Sequence, residues 1–147
     1  MSLSAEDLRK VVRTIWSTQL KLELEDCELD QLEEALDSKD VVANQVLFSG
    51  DFRGVLVQRG SRQLALLAAG AAFAARGGDL GASDARDVLA ELAHVTAGNL
   101  KSHLPGDNAV SLPVAAENGG APGEIIAEVG FQLDSEPLVV TLRGLGG

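Results

Sequence analysis

With one cysteine, no tyrosine, a single tryptophan and four phenylalanines, this chain is short of both crosslinks and aromatic rings. Cys27 alone cannot form an internal disulfide, and it leaves no cysteine cluster for zinc or an iron–sulfur centre. His94 and His103 are the only histidines, too few for a His-rich metal site, so no resident metal or cofactor is expected. The core must then be built from Leu, Val, Ile and Ala. Cations are also scarce: 12 Lys and Arg stand against 22 Asp and Glu, a net charge of −10. Binding to a phosphate backbone needs a basic patch, so nucleic acid is excluded as a partner. Long apolar runs are missing as well. The longest, Leu64 to Ala75, has 12 residues, whereas a membrane-spanning helix needs about 20. It reads as a buried helix, and no membrane association is expected. No charged segment followed by an apolar one opens the sequence, so the expected compartment is the cytoplasm.

What remains is 147 residues with 46% apolar content, enough for one globular domain over 1–147 with a core that needs no staples. Ser4 followed by Asp7 resembles a capping box and opens a helix to about Leu20, with Leu8, Val11, Val12, Ile15 and Trp16 on its apolar face. Lys21 to Glu25 alternates as a short strand does, and Asp30 to Leu36 reads as a helical turn. Val41–Phe48 and Phe52–Gln58 flank Ser49-Gly50-Asp51 as the arms of a hairpin. Ser61 can cap an alanine-rich helix over 62–76, ended by Gly77-Gly78; Arg76 to Asp79 lacks phosphate-binding spacing. Further strands are expected over 109–116, 124–133 and 138–143, with Asp134-Ser135-Glu136-Pro137 turning between the last two. The layout is α+β: a mostly antiparallel sheet with packed helices, resembling a duplicated α-β-β unit without a residue-level repeat. Nine acids lie between Glu23 and Asp40, with only Lys39 to balance them. This is a solvated edge on the plain reading, or a docking surface for a basic partner.

The most informative stretch runs from Asp87 to Lys101. Steps of four and three take Asp87 to Glu91, His94, Gly98 and Lys101, which places them on one helical stripe. Val88, Leu89, Leu92, Val95 and Leu100 occupy the other side, spaced for burial against a sheet. Ser83 can cap this helix, which should end near His103, before Pro105-Gly106. A carboxylate and an imidazole one turn apart thus project from a packed helix, either as a solvated face or as a two-residue site. Each residue also has a plain reading. Asp87 suits the positive end of the helix, Lys101 and His103 the negative end. Asn99 is a structural residue bonded to backbone, Gly98 permits close approach of a strand or a partner, and Pro113 shapes a strand edge.

Extended to Pro113, this segment resembles the CheX/CheC/FliY family of chemotaxis phosphatases, and the CheX type most. That pattern is Asp or Ser, Glu four residues on, Asn three further, then Gly-Asn-x-Lys and a strand ending in Leu-Pro. The matching residues are Asp87, Glu91, His94, Gly98-Asn99-Leu100-Lys101-Ser102 and Ser111-Leu112-Pro113, within 83–114. His94 stands where the pattern has its catalytic Asn. Val12 and Ile15 of the first helix stand where a second site would want a carboxylate and an amide, so at most one site per chain is expected.

The resemblance implies a mostly antiparallel sheet, a dimer, and a phosphatase that hydrolyses the aspartyl phosphate of a CheY-like response regulator, with Mg²⁺ in the regulator's own acidic pocket. It casts Glu91 and His94 as the catalytic pair: Glu91 would pair with the regulator's active-site lysine, and residue 94 would orient the attacking water. Asp87, Glu91, Gly98 and Lys101 would form the partner-binding face. Asn suits the water because its amide both accepts and donates; His94 has one donor and one acceptor on opposite sides of a rigid ring, and could also serve as a base. The alternative is an inactive module of the same fold that binds a regulator without hydrolysing its phosphoryl group. A third reading is a structural adaptor using the acidic segment 23–40.

Overall fold

The computed structural model describes residues 3–76, 84–116 and 122–145, with backbone only at 75, 76 and 84. Helix α1 (Ala5–Leu20) begins at the expected capping box: the Asp7 N–H donates to Ser4 Oγ at 3.2 Å, and the Ser4 N–H donates to Asp7 Oδ2 at 2.9 Å. It buries Leu8, Val12, Ile15, Trp16 and Leu20 and stops at Lys21, which takes a left-handed conformation with φ 58°. That cap removes the strand expected over 21–25. The chain instead crosses the core edge with Leu24 buried, and β1 is only Glu25–Asp26. The helical turn expected after it is a full helix, α2 (Leu29–Asp37).

A seven-stranded antiparallel sheet has the order β1-β6-β7-β3-β2-β4, with β5 also paired to β2. The remaining strands are β2 (Val41–Gly50), β3 (Gly54–Ser61), β4 (Asn108–Val110), β5 (Val114–Ala115), β6 (Glu124–Leu133) and β7 (Glu136–Gly144). Strand β2 runs through Ser49 and Gly50, which were expected in the loop, because β4 pairs with Phe48–Gly50 from the other side. The strand expected over 109–116 is split around Ser111-Leu112-Pro113. Pro113 has no N–H to give the ladder; Ser111 fills in by donating its N–H to Leu47 O and accepting the Leu47 N–H at Oγ, each at 2.9 Å. The final turn is only Asp134-Ser135, both at positive φ (49° and 68°), the two-residue geometry that matches strand twist.

Helices α1, α3 (Arg62–Arg76) and α4 (Asp84–Leu100) cover one face of the sheet. Ser61 caps α3, accepting the Leu64 N–H at Oγ at 3.1 Å. Gly77-Gly78 and the Arg76–Asp79 loop, as the stop of α3, and Ser83, as the cap of α4, fall on or run into residues outside those described. On the opposite face, α2 lays Leu32 and Leu36 on Val139, and its Glu33 grips the buried Arg59 guanidinium of β3. Much of the acidic segment is therefore a helix that closes a second small core, so its deletion would expose Val139 and would not cleanly test an adaptor role.

The two hairpins β2–β3 and β6–β7 meet at the β3/β7 pair, giving the duplicated α-β-β arrangement. The helices are exchanged: α1 packs on β6, whereas α4 packs on β2 and β3.

Candidate functional site

Position on α4 is set by angular spacing. At about 100° per residue, Asp87, Glu91, His94, Gly98 and Lys101 fall within roughly 80° of arc. Asp87, Glu91, Gly98 and Lys101 are exposed, and His94 is half-buried. Lys101 opens a 3₁₀ turn (Lys101–His103), so the α-helix ends three residues earlier than the spacing suggests.

The opposite arc is packed. Val88, Leu89, Leu92, Ala93, Thr96, Ala97 and Leu100 are buried, as expected, and Val95 is half-buried. Full burial of each larger aliphatic side chain stabilises by about 1.5–3 kcal/mol. The small side chains of Ala93 and Ala97 fit a close helix–helix contact, matched on α3 by buried Ala65, Ala68, Ala69 and Ala72. One polar tie fixes the helix to the sheet: buried Gln58 of β3 donates from Nε2 to Leu89 O at 2.8 Å. Sequence reasoning missed Gln58, because a single polar residue in a strand carries no sign of which carbonyl it will meet. The carbonyl it holds lies two residues before Glu91.

Around the stripe, the residues divide. Glu91 borders a recess of about 90 Å³ between α4 and the end of α1, walled by Gln19, Leu20, Val88 and Val95. Asn99 donates its side-chain amide to Val95 O at 2.8 Å, a bond to its own helix, as its structural reading requires. With His103 it lines a groove of about 200 Å³ beside Asp7, Lys10 and Thr14 of α1. The charge of His103 also helps hold the Asp7 carboxyl below its usual range, after the larger effects of the Ser4 backbone N–H and hydroxyl. Gly98 faces open space, with nothing among the described residues within 4 Å of a Cβ built there. Among the described residues no strand approaches it, so of the two readings of Gly98 only room for a partner is left.

Thr96 is buried and donates to Leu92 O at 2.7 Å, so its hydroxyl is spent inside the helix. The His94 ring is unlike its neighbours: Nδ1 is buried and has no hydrogen-bond partner among the described residues. On α1, Val12 and Ile15 are core residues, so they are not surface counterparts of Glu91 and His94. The exposed acid of α1, Glu6, lies in its first turn and pairs with Arg9, and the exposed positions further along, Lys10, Arg13, Thr14, Thr18 and Gln19, carry none. Among the described residues no group of three or more His, Cys, Asp or Glu is placed to hold a metal, and no helix is long and apolar enough to cross a membrane.

No family model and no curated protein matches the sequence. The fold does match solved structures. The Vibrio vulnificus chemotaxis protein CheX superposes with a TM-score of 0.70 at 18% identity, over 92% of each chain. The CheX of a Borrelia burgdorferi CheX–CheY–BeF₃–Mg²⁺ complex gives 0.68 at 16% identity, over 97% of this chain and 98% of that one. A CheC-like chemotactic protein from Shewanella oneidensis MR-1 gives 0.64 at 16%, over 92% and 94%. The chain has the CheX/CheC-like fold.

Proposed function

We propose that this chain is a CheX-type phosphatase that docks the exposed stripe of α4 on a phosphorylated CheY-like response regulator and hydrolyses its aspartyl phosphate. The observation that carries the reading is the stripe itself: a carboxylate, an imidazole, a glycine facing open space and a lysine on one arc of a helix whose opposite arc is packed. A protein of the same fold occurs in a complex with CheY, BeF₃ and Mg²⁺, and BeF₃ has the shape of a bound phosphoryl group. In the reaction, a water oxygen bonds to phosphorus as the bond to the aspartyl oxygen breaks, releasing inorganic phosphate and restoring the carboxylate. Mg²⁺ in the regulator's acidic pocket neutralises the developing charge, so the task left to the phosphatase is positioning. Glu91 sets the register by pairing with a regulator lysine. His94 reaches the water, and Asp87, Gly98 and Lys101 complete the contact.

One observation favours the second reading, a module that binds the regulator without hydrolysing its phosphate. The His94 ring is half-buried with Nδ1 inside, so it meets the partner differently from an exposed amide. A misplacement of about 1 Å can cost on the order of 100-fold in rate.

The resemblance also implies a dimer, and we place its contact at the β4–β5 edge, where Leu112 is 77% exposed beside Val114 and Leu47. Sedimentation of the wild type and of Leu112→Glu tests this. Association unaffected by the substitution removes the edge from consideration.

The deciding experiment is the lifetime of phosphorylated, Mg²⁺-loaded regulators with and without the protein, beside Glu91→Ala. The wild type should shorten the lifetime, and Glu91→Ala should lose most of that effect while keeping its fold. Phosphate release unchanged by Glu91→Ala refutes the assignment. Binding without any shortening establishes the second reading.

A further inference from the structure

His94 presents its two nitrogens to different surroundings. Nδ1 is buried without a partner, and Nε2 is not among the buried unpartnered atoms of the described residues. Among the described residues no hydrogen bond to the ring is found, so Nε2 is the less enclosed of the two nitrogens. A neutral imidazole carries one proton, and its place decides which nitrogen donates and which accepts. Orphaned buried N–H groups are rarer in proteins than under-used buried acceptors.

We infer that neutral His94 carries its proton on Nε2 and meets a partner as a hydrogen-bond donor, not as a base. The free-protein part of this stands on geometry alone; what receives the bond rests on the function proposed above.

The chemical consequence is specific. An Nε2–H can bond to the oxygen of the attacking water through one lone pair, leaving the other to attack phosphorus, or it can bond to a phosphoryl oxygen directly. It cannot take the water's proton, which passes to a phosphoryl oxygen as the phosphorus–aspartate bond breaks. An asparagine amide supplies both an acceptor and a donor; His94 supplies only the donor. It is a positioning group that fixes geometry without activating the nucleophile.

Asn44, on the strand beneath α4, also has a buried side-chain oxygen, Oδ1, without a partner. A rearrangement joining a proton on His94 Nδ1 to that oxygen is the specific alternative. Long-range ¹H–¹⁵N correlation spectra of the ¹⁵N-labelled protein distinguish the two. With only two histidines, a His103→Gln variant completes the assignment. A dominant Nε2–H form is expected, and a dominant Nδ1–H form overturns the inference.

A second readout uses side chains of matching reach. The amide of His94→Gln can place an N–H near the Nε2 position, whereas His94→Leu cannot. Gln should retain regulator dephosphorylation within about threefold of wild type, and Leu should lose on the order of tenfold, the scale of one hydrogen bond. Loss in Gln equal to that in Leu overturns the donor role. If the wild type shortens no regulator's lifetime while its ring still carries Nε2–H, the proposed function falls and the tautomer assignment stands.

Discussion

Two glycines offer a controlled separation of folding from docking. Gly98 in α4 and Gly70 in α3 are both exposed, both helical, and both have nothing among the described residues within 4 Å of an added Cβ. Neither has a packing reason to be glycine. Alanine in a helix interior is favoured over glycine by about 0.5–1 kcal/mol, through a smaller entropy loss on folding. Gly98→Ala and Gly70→Ala should therefore each stabilise the protein, and for a domain of this size about 1 kcal/mol raises Tm by about 2–4 °C. Gly98 lies in the last turn of α4, where the helix is less fully formed, so its gain should be the smaller.

Docking should part the two. If the arc from Asp87 to Lys101 is pressed against a regulator, Gly98→Leu adds a bulky side chain to that contact, one turn from His94. It should weaken binding by at least about tenfold, or about 1.4 kcal/mol, while Gly70→Leu leaves binding unchanged. The assays are thermal unfolding of the four variants and titration of a regulator loaded with Mg²⁺ and BeF₃. A destabilised Gly98→Ala would mean that something packs against that side of α4. Equal affinities for Gly98→Leu and wild type would remove this arc from the interface, and with it the role proposed for Glu91.

Gly130→Ala should behave oppositely. Its Cβ would collide with Leu32 of α2 and come within 3.1 Å of Cys27 O, so overpacking should cost about 1–3 kcal/mol in denaturant unfolding; a neutral result would mean that α2 sits less tightly on the sheet. The Asp7 carboxyl is held below its ordinary range, chiefly by the Ser4 backbone N–H and then by the Ser4 hydroxyl, so its ionised form favours the folded state. That contribution is present above the unfolded pKa and lost as pH falls through the folded one. Asp7→Asn should lower Tm slightly at neutral pH, and the gap to wild type should close below about pH 4; a gap independent of pH would refute the charge-based account.

Much of the arrangement was legible where one periodicity governed a long segment. Strand β6 spans the expected 124–133, the capping box starts α1, and the stripe of α4 faces outward as its spacing requires. The readings failed where a tertiary contact decided the outcome. A left-handed Lys21 stops alternation that looked like a strand, and α2 is a longer helix than its polar sequence suggested because Leu32 and Leu36 find Val139. Pro113 splits an edge strand whose composition read as continuous. At the site, spacing put His94 on the right face but could not show that its ring leans inward. Helical angle fixes a direction from the axis, not the depth of the neighbouring elements.

The exchange of helices between hairpins has a consequence for how the chain assembles as it is made. Strands β2 and β3, the bed of α4, are synthesised before α4, so the helix bearing Glu91 can settle when it appears. Helix α1 must wait for β6, near the far end of the chain, with Leu8, Val12 and Trp16 lacking that cover. Contacts that span so much sequence form slowly, and exposed apolar surface invites association while they do. The first helix can meet α3 and α4 earlier, but its sheet-facing side stays uncovered until β6 is made.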